Sequence, residues 1–299
     1  MKTKSKPKST DFYSVNHYLN MYATGFDSLY REPKDGMISL LKTKPSTIEL
    51  VTLIDLSTLW EAKQLAAVDY AKKICTLKHR NLLNITREMR VLDNHIPGGF
   101  VQFTTEAPDH ISSWKCFCKR PMSLHETLSV FRGLLLAQIE IHDSGLIFRD
   151  FHPTRIHLYN GITKFNLVGM PYNFKKLLKN ESFSGHLNYS PPEILEHGSE
   201  KNLTQKVDVW SLGCCLYYLV AKRDPFDGQS PIEIKSNIRT GKLDKGPLVD
   251  KDDQGQPRHP IIQNLLKACL TVDFDKRPSS KELLDLLDKL IYENRKLFT

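Results

Sequence analysis

The spacing of apolar residues changes from a strand-like to a helix-like period along this chain of 299 residues. In the first third, residues 36–41 and 48–54 form short runs rich in apolar and β-branched residues, separated by Pro45-Ser46-Thr47. Such runs on either side of a turn containing proline and serine are typical of a β-hairpin. We therefore predict two paired strands here.

One helix and two further strands are predicted to complete this part of the chain. Residues 60–76 contain few helix breakers, which favours a helix, and residues 82–91 and 99–105 favour strands. The two strands are predicted to lie on either side of a turn at Gly98-Gly99.

Beyond Pro121 the pattern becomes helical. Ser123 and Glu126 have the spacing of a capping box, as do Ser279 and Glu282 near the C-terminus, and each pair precedes apolar residues at close to helical spacing. Strands followed by helices predict an α+β fold, with a sheet-rich lobe that ends between residues 107 and 113 and a helical lobe after it.

Composition fits a globular protein with a basic N-terminus. The formal net charge is +8 and the apolar fraction is 40%, which is enough for packed cores. Residues 1–10 form a basic run that cannot bury apolar surface, so we predict a disordered tail there. Since no aromatic residues lie among its lysines, a solvated tail is favoured over binding to nucleic acid or acidic lipid.

The cysteines and the apolar runs exclude several other classes of protein. Six cysteines are present, but neither Cys116 and Cys118 nor Cys214 and Cys215 have the spacing of a zinc site, so reduced thiols are expected. The longest apolar block, residues 207–221, is shorter than the roughly 20 residues of a membrane span and predicts a buried helix. We expect no signal peptide, no transmembrane segment, and a cytoplasmic or nuclear location.

Four motifs in the second half of the chain gain meaning from their order and spacing. They are residues 141–153 (IHDSGLIFRDFHP), 189–193 (YSPPE), 208–213 (DVWSLG) and Arg277-Pro278. Together they resemble the catalytic loop, the Ala-Pro-Glu segment, the start of helix F and the late arginine motif of protein kinases. The resemblance covers about residues 29–290. It implies a bilobal protein-kinase-like fold, with a small β-rich N-lobe over residues 11–110, including helix C, and a larger α-helical C-lobe over residues 111–299.

The resemblance assigns structural roles to three of these residues. Glu193 and Arg277 are expected to form a buried ion pair, in which the arginine fork meets the carboxylate through two hydrogen bonds. Asp208 is expected to accept hydrogen bonds from the backbone around Phe148 and Arg149, and so to hold the loop in place.

Most of the residues that phosphoryl transfer needs are missing from the aligned positions. Asp150 keeps the position of the catalytic base, but His152 replaces a lysine and Arg155 replaces the asparagine that binds magnesium. Leu167-Val168-Gly169 aligns with the Asp-Phe-Gly motif, so the second metal ligand is lost as well and no metal site is expected. Each lost contact removes several kcal/mol of transition-state stabilisation, and together they predict at least ~10⁴-fold less activity.

The sheet-rich lobe shows similar losses. The strand at residues 50–55 places Thr52 at the lysine position, and Tyr70 stands where the partner glutamate belongs, so the usual ion pair cannot form. The phosphate-covering loop corresponds to residues 31–36, which contain one glycine, and Pro33 lacks a backbone N–H.

An adenine slot is the part of the nucleotide site that the resemblance retains. Thr105, Glu106, Ala107 and Pro108 would form the hinge, and Thr52, Arg155 and Leu167 would stand near the phosphates. We expect no required cofactor, with ATP or adenosine binding weakly and without magnesium.

The resemblance therefore implies a pseudokinase that acts as a protein-binding scaffold or allosteric regulator in intracellular signalling. Its expected partners are other proteins, including an active kinase. One alternative is an active but atypical ATP-dependent serine/threonine kinase or a transferase that binds ATP in another orientation, supported by Asp150, His152 and the hinge at residues 104–107. Another is an obligate subunit, although Arg149 with Ser182 and Ser184 favours regulation, because Arg149 can bind a phosphoserine.

Overall fold

The computed structural model describes residues 28–34, 37–43, 48–56, 61–93, 96–107, 121–159, 161–168, 187–197, 203–243 and 260–295. The chain divides into two compact units. The first comprises Met1–Lys78, Leu83–Ala107 and Leu167–Met170, and the second comprises His79–Leu82, Pro108–Asn166 and Pro171–Thr299.

The first unit is built on a five-stranded antiparallel sheet in the order β1-β2-β3-β5-β4. Its elements are β1 (Ser28–Lys34), β2 (Met37–Thr43), β3 (Ile48–Asp55), α1 (Glu61–Thr76), β4 (Ile85–Asp93) and β5 (Ile96–Glu106). The predicted hairpin is confirmed, because Met37 pairs with Ile54 and Thr43 pairs with Ile48. Helix α1 matches the prediction and contacts β4.

The predicted turn at Gly98-Gly99 is wrong, since both glycines lie inside β5. Pairing with β4 passes from Val91 opposite Phe100 to Asp93 opposite Ile96, so β5 carries more residues than its partner over this stretch. Such an insertion is a β-bulge. A bulge often needs a residue with positive φ, which glycine adopts without strain, and Gly99 has φ of 69°. The predicted strand at residues 82–91 also begins later than expected, at Ile85.

The second unit is mostly helical, with one small hairpin. Its elements are α2 (Leu124–Asp143), β6 (Ile156–Tyr159), β7 (Ile162–Phe165), α3 (Pro192–His197), α4 (Lys206–Ala221), α5 (Pro231–Arg239), α6 (Pro260–Cys269) and α7 (Ser280–Glu293). Ser123 caps α2 by accepting the Glu126 N–H at 3.1 Å. The capping box of α7 is complete, since the Ser279 N–H also donates to Glu282 at 2.7 Å.

Helix α4 forms the centre of the second unit and contacts both α2 and α6. Its residues from Val207 to Tyr217 are buried, and the indole of Trp210 stacks on Phe226 at 5.4 Å. The prediction of a buried helix over residues 207–221 is confirmed. None of the helices in the described part of the chain is long and apolar enough to cross a bilayer.

Candidate functional site

Asp208 anchors the loop that follows α2. It lies in the first turn of α4, is fully buried, and accepts the backbone N–H of Phe148 at 2.8 Å and that of Arg149 at 2.6 Å. These are the hydrogen bonds expected for Asp208. Arg149 has φ of 63°, a left-handed conformation that is unfavourable for an arginine. The carboxylate of Asp208 therefore holds this backbone in a conformation that it would rarely adopt alone.

Glu193 and Arg277 form the expected buried ion pair. The two guanidinium nitrogens of Arg277 donate to the two carboxylate oxygens of Glu193 at 2.7 and 3.1 Å. Arg277 is 1% exposed and also donates to the carbonyl oxygens of Lys206 and Thr271, at 2.9 and 3.0 Å. Its guanidinium lies over the ring of Trp210, 5.0 Å from the centroid. The arginine thus ties α3 to α4 and to the chain before α7.

Asp150 and Arg155 form a second ion pair, which the sequence analysis did not anticipate. The Arg155 Nε donates to Asp150 Oδ2 at 2.8 Å, and the Nη2 of the same guanidinium contacts that oxygen as well. The guanidinium lies 5.2 Å from the centroid of the Phe148 ring, and its Nη1 donates to the Asn166 carbonyl at 3.4 Å. A permanent cation therefore occupies one carboxylate oxygen at the position of the catalytic base.

His152 lies between Asp150 and Arg155 in the sequence, and its side chain is buried. Its Nδ1 accepts the Thr154 N–H at 3.2 Å and lies 2.8 Å from the Thr154 hydroxyl, so the imidazole caps the short 3₁₀ helix Pro153–Arg155. The ring also packs edge-on against Tyr189, with a centroid distance of 4.3 Å. His152 thus fixes the backbone that presents Arg155 to Asp150.

Leu167 and Thr52 of the first unit are uncharged, although the protein-kinase motifs that the sequence resembles have charged residues at these positions. Leu167 is 2% exposed and Thr52, in the middle of β3, is 4% exposed. Tyr70 of α1 donates its hydroxyl proton to the backbone carbonyl of Leu167 at 3.4 Å. A neutral hydrogen bond therefore joins α1 to residue 167, and it involves the tyrosine at the expected glutamate position.

The predicted hinge residues lie at the end of β5. Thr105 is 1% exposed, and its hydroxyl lies 3.4 Å from the Leu50 carbonyl and 3.2 Å from the Glu106 carbonyl, as a donor to either. Glu106 is the last residue of the strand and Ala107 follows it. Pro108, like Ser182 and Ser184, lies outside the described residues.

The sequence-predicted residues fall into separate groups. Within the second unit the structure brings together Asp150 with Arg155, Glu193 with Arg277, and Asp208 with the backbone of Arg149. Thr52, Thr105 and Leu167 belong to the first unit.

Three buried polar residues beside Asp208 were missed from the sequence. They are Gln138, His142 and Ser280, and His142 Nε2 lies 3.0 Å from Asp208 Oδ2. Gln138 and His142 are four residues apart in α2, which places them on one face of the helix. Two polar residues on the apolar face of a helix would have been the signal to look for.

The described cysteines are free thiols, namely Cys75, Cys214, Cys215 and Cys269. Burial raises the pKa of Cys269 to about 12 and raises the pKa of Cys214 well above its usual range. Both thiols therefore stay protonated near neutral pH and are poor nucleophiles. Among the described residues, no group of three or more His, Cys, Asp or Glu side chains is placed to hold a metal ion.

Comparison with known proteins gives a family match over most of the chain. A family profile described as protein kinase domain matches residues 61–286. The chain is 30% identical over 160 residues to the MAP kinase kinase kinase mkh1 of Schizosaccharomyces pombe, covering 52% of this chain and 14% of that protein. It is 33% identical over 165 residues to a Wee1-like protein kinase of Arabidopsis thaliana, covering 55% and 30%.

A third relative covers a larger share of both chains. The serine/threonine-protein kinase ppk34 of Schizosaccharomyces pombe is 28% identical over 195 residues, covering 64% of this chain and 49% of that protein. The chain spans less than half the length of each of these three relatives.

Proposed function

The chain belongs to the protein kinase family, and we propose that it is a pseudokinase with little or no phosphotransfer activity. On this proposal it acts in the cytoplasm or nucleus as a protein-binding scaffold or allosteric regulator in intracellular signalling. Its partners are other proteins, including an active kinase. The observation that carries the proposal is the ion pair between Asp150 and Arg155.

This ion pair opposes catalysis in two ways. A base or orienting carboxylate must accept a hydrogen bond from the attacking hydroxyl group, but Arg155 already donates twice to Asp150 Oδ2. Arg155 also stands at the position of a metal ligand, where its positive charge repels a divalent cation. Breaking the pair to free Asp150 would leave a largely buried guanidinium without its carboxylate.

The residues at both metal positions do not fit magnesium. This hard cation takes oxygen ligands, and the side chains of Leu167 and Arg155 have no oxygen to offer. Leu167 is also buried, with its backbone carbonyl engaged by the Tyr70 hydroxyl. These two side chains therefore supply no ligand for magnesium.

The first unit supports the same proposal. Thr52 carries no charge to meet a phosphate, and Tyr70 replaces the glutamate that would pair with a lysine. The hydrogen bond from the Tyr70 hydroxyl to the Leu167 carbonyl links α1 to this segment. This link does not use the lysine–glutamate ion pair of an active kinase, which suits a domain that presents a surface to other proteins.

A phosphotransfer assay tests this function. The parent chain and the Asp150→Ala variant are incubated with ATP, magnesium and generic serine/threonine substrates, and we expect both to incorporate phosphate at background level. Magnesium-dependent incorporation by the parent that Asp150→Ala abolishes would overturn the proposal. Thermal unfolding of both proteins checks that the variant is folded.

The second candidate function is an active but atypical serine/threonine kinase. It is favoured by the retention of Asp150 next to a backbone that Asp208 holds in place. The same assay separates the two functions. Arg155→Asn removes the cation from Asp150 and restores the asparagine of the motif, so it should raise the activity of an active kinase, whereas a pseudokinase remains at background level.

A further inference from the structure

Four polar side chains from three helices form a buried cluster in the second unit. Gln138 and His142 of α2, Asp208 of α4 and Ser280 of α7 are each at most 5% exposed. The Ser280 hydroxyl lies 2.9 Å from His142 Nδ1 and 2.8 Å from the Gln138 amide, and His142 Nε2 lies 3.0 Å from Asp208 Oδ2. The cluster is therefore one continuous chain of hydrogen bonds from α7 to Asp208.

For a neutral His142, the direction of these hydrogen bonds follows from what each group can donate. A carboxylate only accepts, so the hydrogen between His142 and Asp208 belongs to Nε2 of the imidazole. A neutral imidazole with hydrogen on Nε2 has an acceptor at Nδ1, and the Ser280 hydroxyl is the group in contact with that atom. Ser280 then donates to His142 and keeps its oxygen free to accept.

The Gln138 amide completes the chain. With its oxygen toward Ser280, the nitrogen Nε2 is buried and has no hydrogen-bond partner among the described residues. A half-turn of the amide exchanges the two atoms, which have nearly the same shape, and lets the nitrogen donate to the Ser280 oxygen. The three hydrogen bonds then run in one direction: Gln138 donates to Ser280, Ser280 donates to His142, and His142 donates to Asp208.

We propose that Gln138 and Ser280 are positioning residues that hold His142 as the Nε2–H tautomer and so fix the carboxylate of Asp208. Asp208 in turn sets the backbone at Phe148 and Arg149, one residue before Asp150. The first residue of α7 thereby controls the loop that carries the ion pair of Asp150. This role does not depend on whether the protein transfers phosphate, and Ser280 itself is too buried to act as a nucleophile.

The tautomer is tested on the parent chain by NMR of ¹⁵N-labelled histidine near neutral pH. We expect the two ring nitrogens of His142 to show the pattern of a neutral imidazole with hydrogen on Nε2. An imidazolium pattern, or hydrogen on Nδ1, would overturn the proposal. Because this measurement uses the unmodified protein, it does not depend on any variant folding.

The positioning role is tested by Ser280→Ala, with Ser280→Thr and Ser279→Ala as controls. Ser280→Ala should shift the His142 Nδ1 resonance and speed amide exchange at Phe148 and Arg149 about tenfold or more, since one buried hydrogen bond is lost. Ser280→Thr keeps the hydroxyl and should behave like the parent. Ser279→Ala weakens the cap of α7 without touching His142, so equal exchange rates in the two alanine variants, or an unshifted Nδ1 in Ser280→Ala, would contradict the proposal.

Discussion

Gly133 of α2 lies directly against the side chain of Asn81, and a Cβ at position 133 would come within 2.6 Å of Asn81 Nδ2. That nitrogen donates to the Thr163 carbonyl at 2.8 Å, while the Asn81 carbonyl accepts the Phe165 N–H at 2.8 Å. Asn81 therefore joins β7 at two points and cannot retreat from α2 without losing a hydrogen bond. The close approach explains why a glycine occupies the middle of this helix.

Gly133→Ala should lower the free energy of unfolding by roughly 1–3 kcal/mol, the usual range for overpacking. In an open helical position the same change stabilises by about 0.5–1 kcal/mol, so the sign of the effect is informative. Urea denaturation measures it. The double variant Gly133→Ala/Asn81→Ala should lose less than the sum of the single variants, because the clash is then gone. If Gly133→Ala is as stable as the parent, the Asn81 side chain can move away from α2 at no cost, and the prediction is wrong.

Arg277→Ala should cost roughly 3 kcal/mol or more of stability, because it leaves the buried carboxylate of Glu193 without its partner. The control is Lys276→Ala, which removes an exposed cation paired with Asp273 and should change stability far less, because solvent screens an exposed pair. Thermal and urea unfolding of the two variants provide the comparison. An unfolding midpoint in Arg277→Ala equal to that of the parent would contradict the structural role of the pair.

Nucleotide binding should be weak and independent of magnesium, with most of the binding free energy coming from the adenine base. We expect adenosine to compete about as well as ATP, because neither Thr52 nor Leu167 can meet a charged phosphate or hold its metal. Thermal-shift titrations with each ligand, in EDTA and in magnesium, measure this.

The Arg155→Asn variant should bind ATP more tightly in magnesium than the parent does, because it replaces a cation with the asparagine of the motif that the loop resembles. The matched control is Arg132→Asn, which removes another ion-paired arginine, bonded to Asp288, outside the loop. Tight ATP binding by the parent that needs magnesium, with adenosine inert, would show that the metal positions have been wrongly assigned.

His79 should make stability depend on pH in the mildly acidic range. Burial lowers its pKa below the ordinary value of 6.5, against a smaller opposing effect of Glu140. The unfolded chain therefore binds the proton first as the pH falls, so this contribution to stability is complete above about pH 6.5 and is lost below it.

The His79→Asn variant isolates that contribution, since an amide oxygen can still accept the Asn81 N–H that His79 Nδ1 now accepts at 3.1 Å. We expect its free energy of unfolding, measured in urea from pH 7.5 to pH 5, to fall less steeply than that of the parent. Parallel curves for the two proteins would show that His79 is not the responsible group.

Most strands and helices could be predicted from the local spacing of apolar residues and from capping residues. The elements that were predicted wrongly have physical causes. The β2–β3 hairpin, α1 and α7 could each be predicted from one continuous stretch of sequence, because its apolar spacing, turn residues or capping residues indicate the element. Gly98-Gly99 suits a turn and a bulge equally well, and only the pairing of β5 with β4 selects the bulge. The α+β protein-kinase fold is confirmed, while the pseudokinase function stays a prediction.

Within the site, contacts between residues of the quoted motifs were predictable, and contacts that involve residues outside those motifs were not. Glu193, Arg277 and Asp208 lie in motifs whose order identifies them. Arg155 was recognised as a lost metal ligand, but its pairing with Asp150 depends on the 3₁₀ helix that His152 caps. Ser280 meets His142 only because α7 packs on α2, a tertiary contact that no local pattern encodes.

The long sequence separation of these contacts has a consequence for synthesis on the ribosome. Glu193 is synthesised 84 residues before its partner Arg277, and His142 is synthesised 138 residues before its partner Ser280. Because a chain emerges from its N-terminus, α2 and α3 leave the exit tunnel with their polar groups still lacking these partners. On the proposed role of Ser280, the loop at Asp150 therefore reaches its final geometry only after α7 has been released.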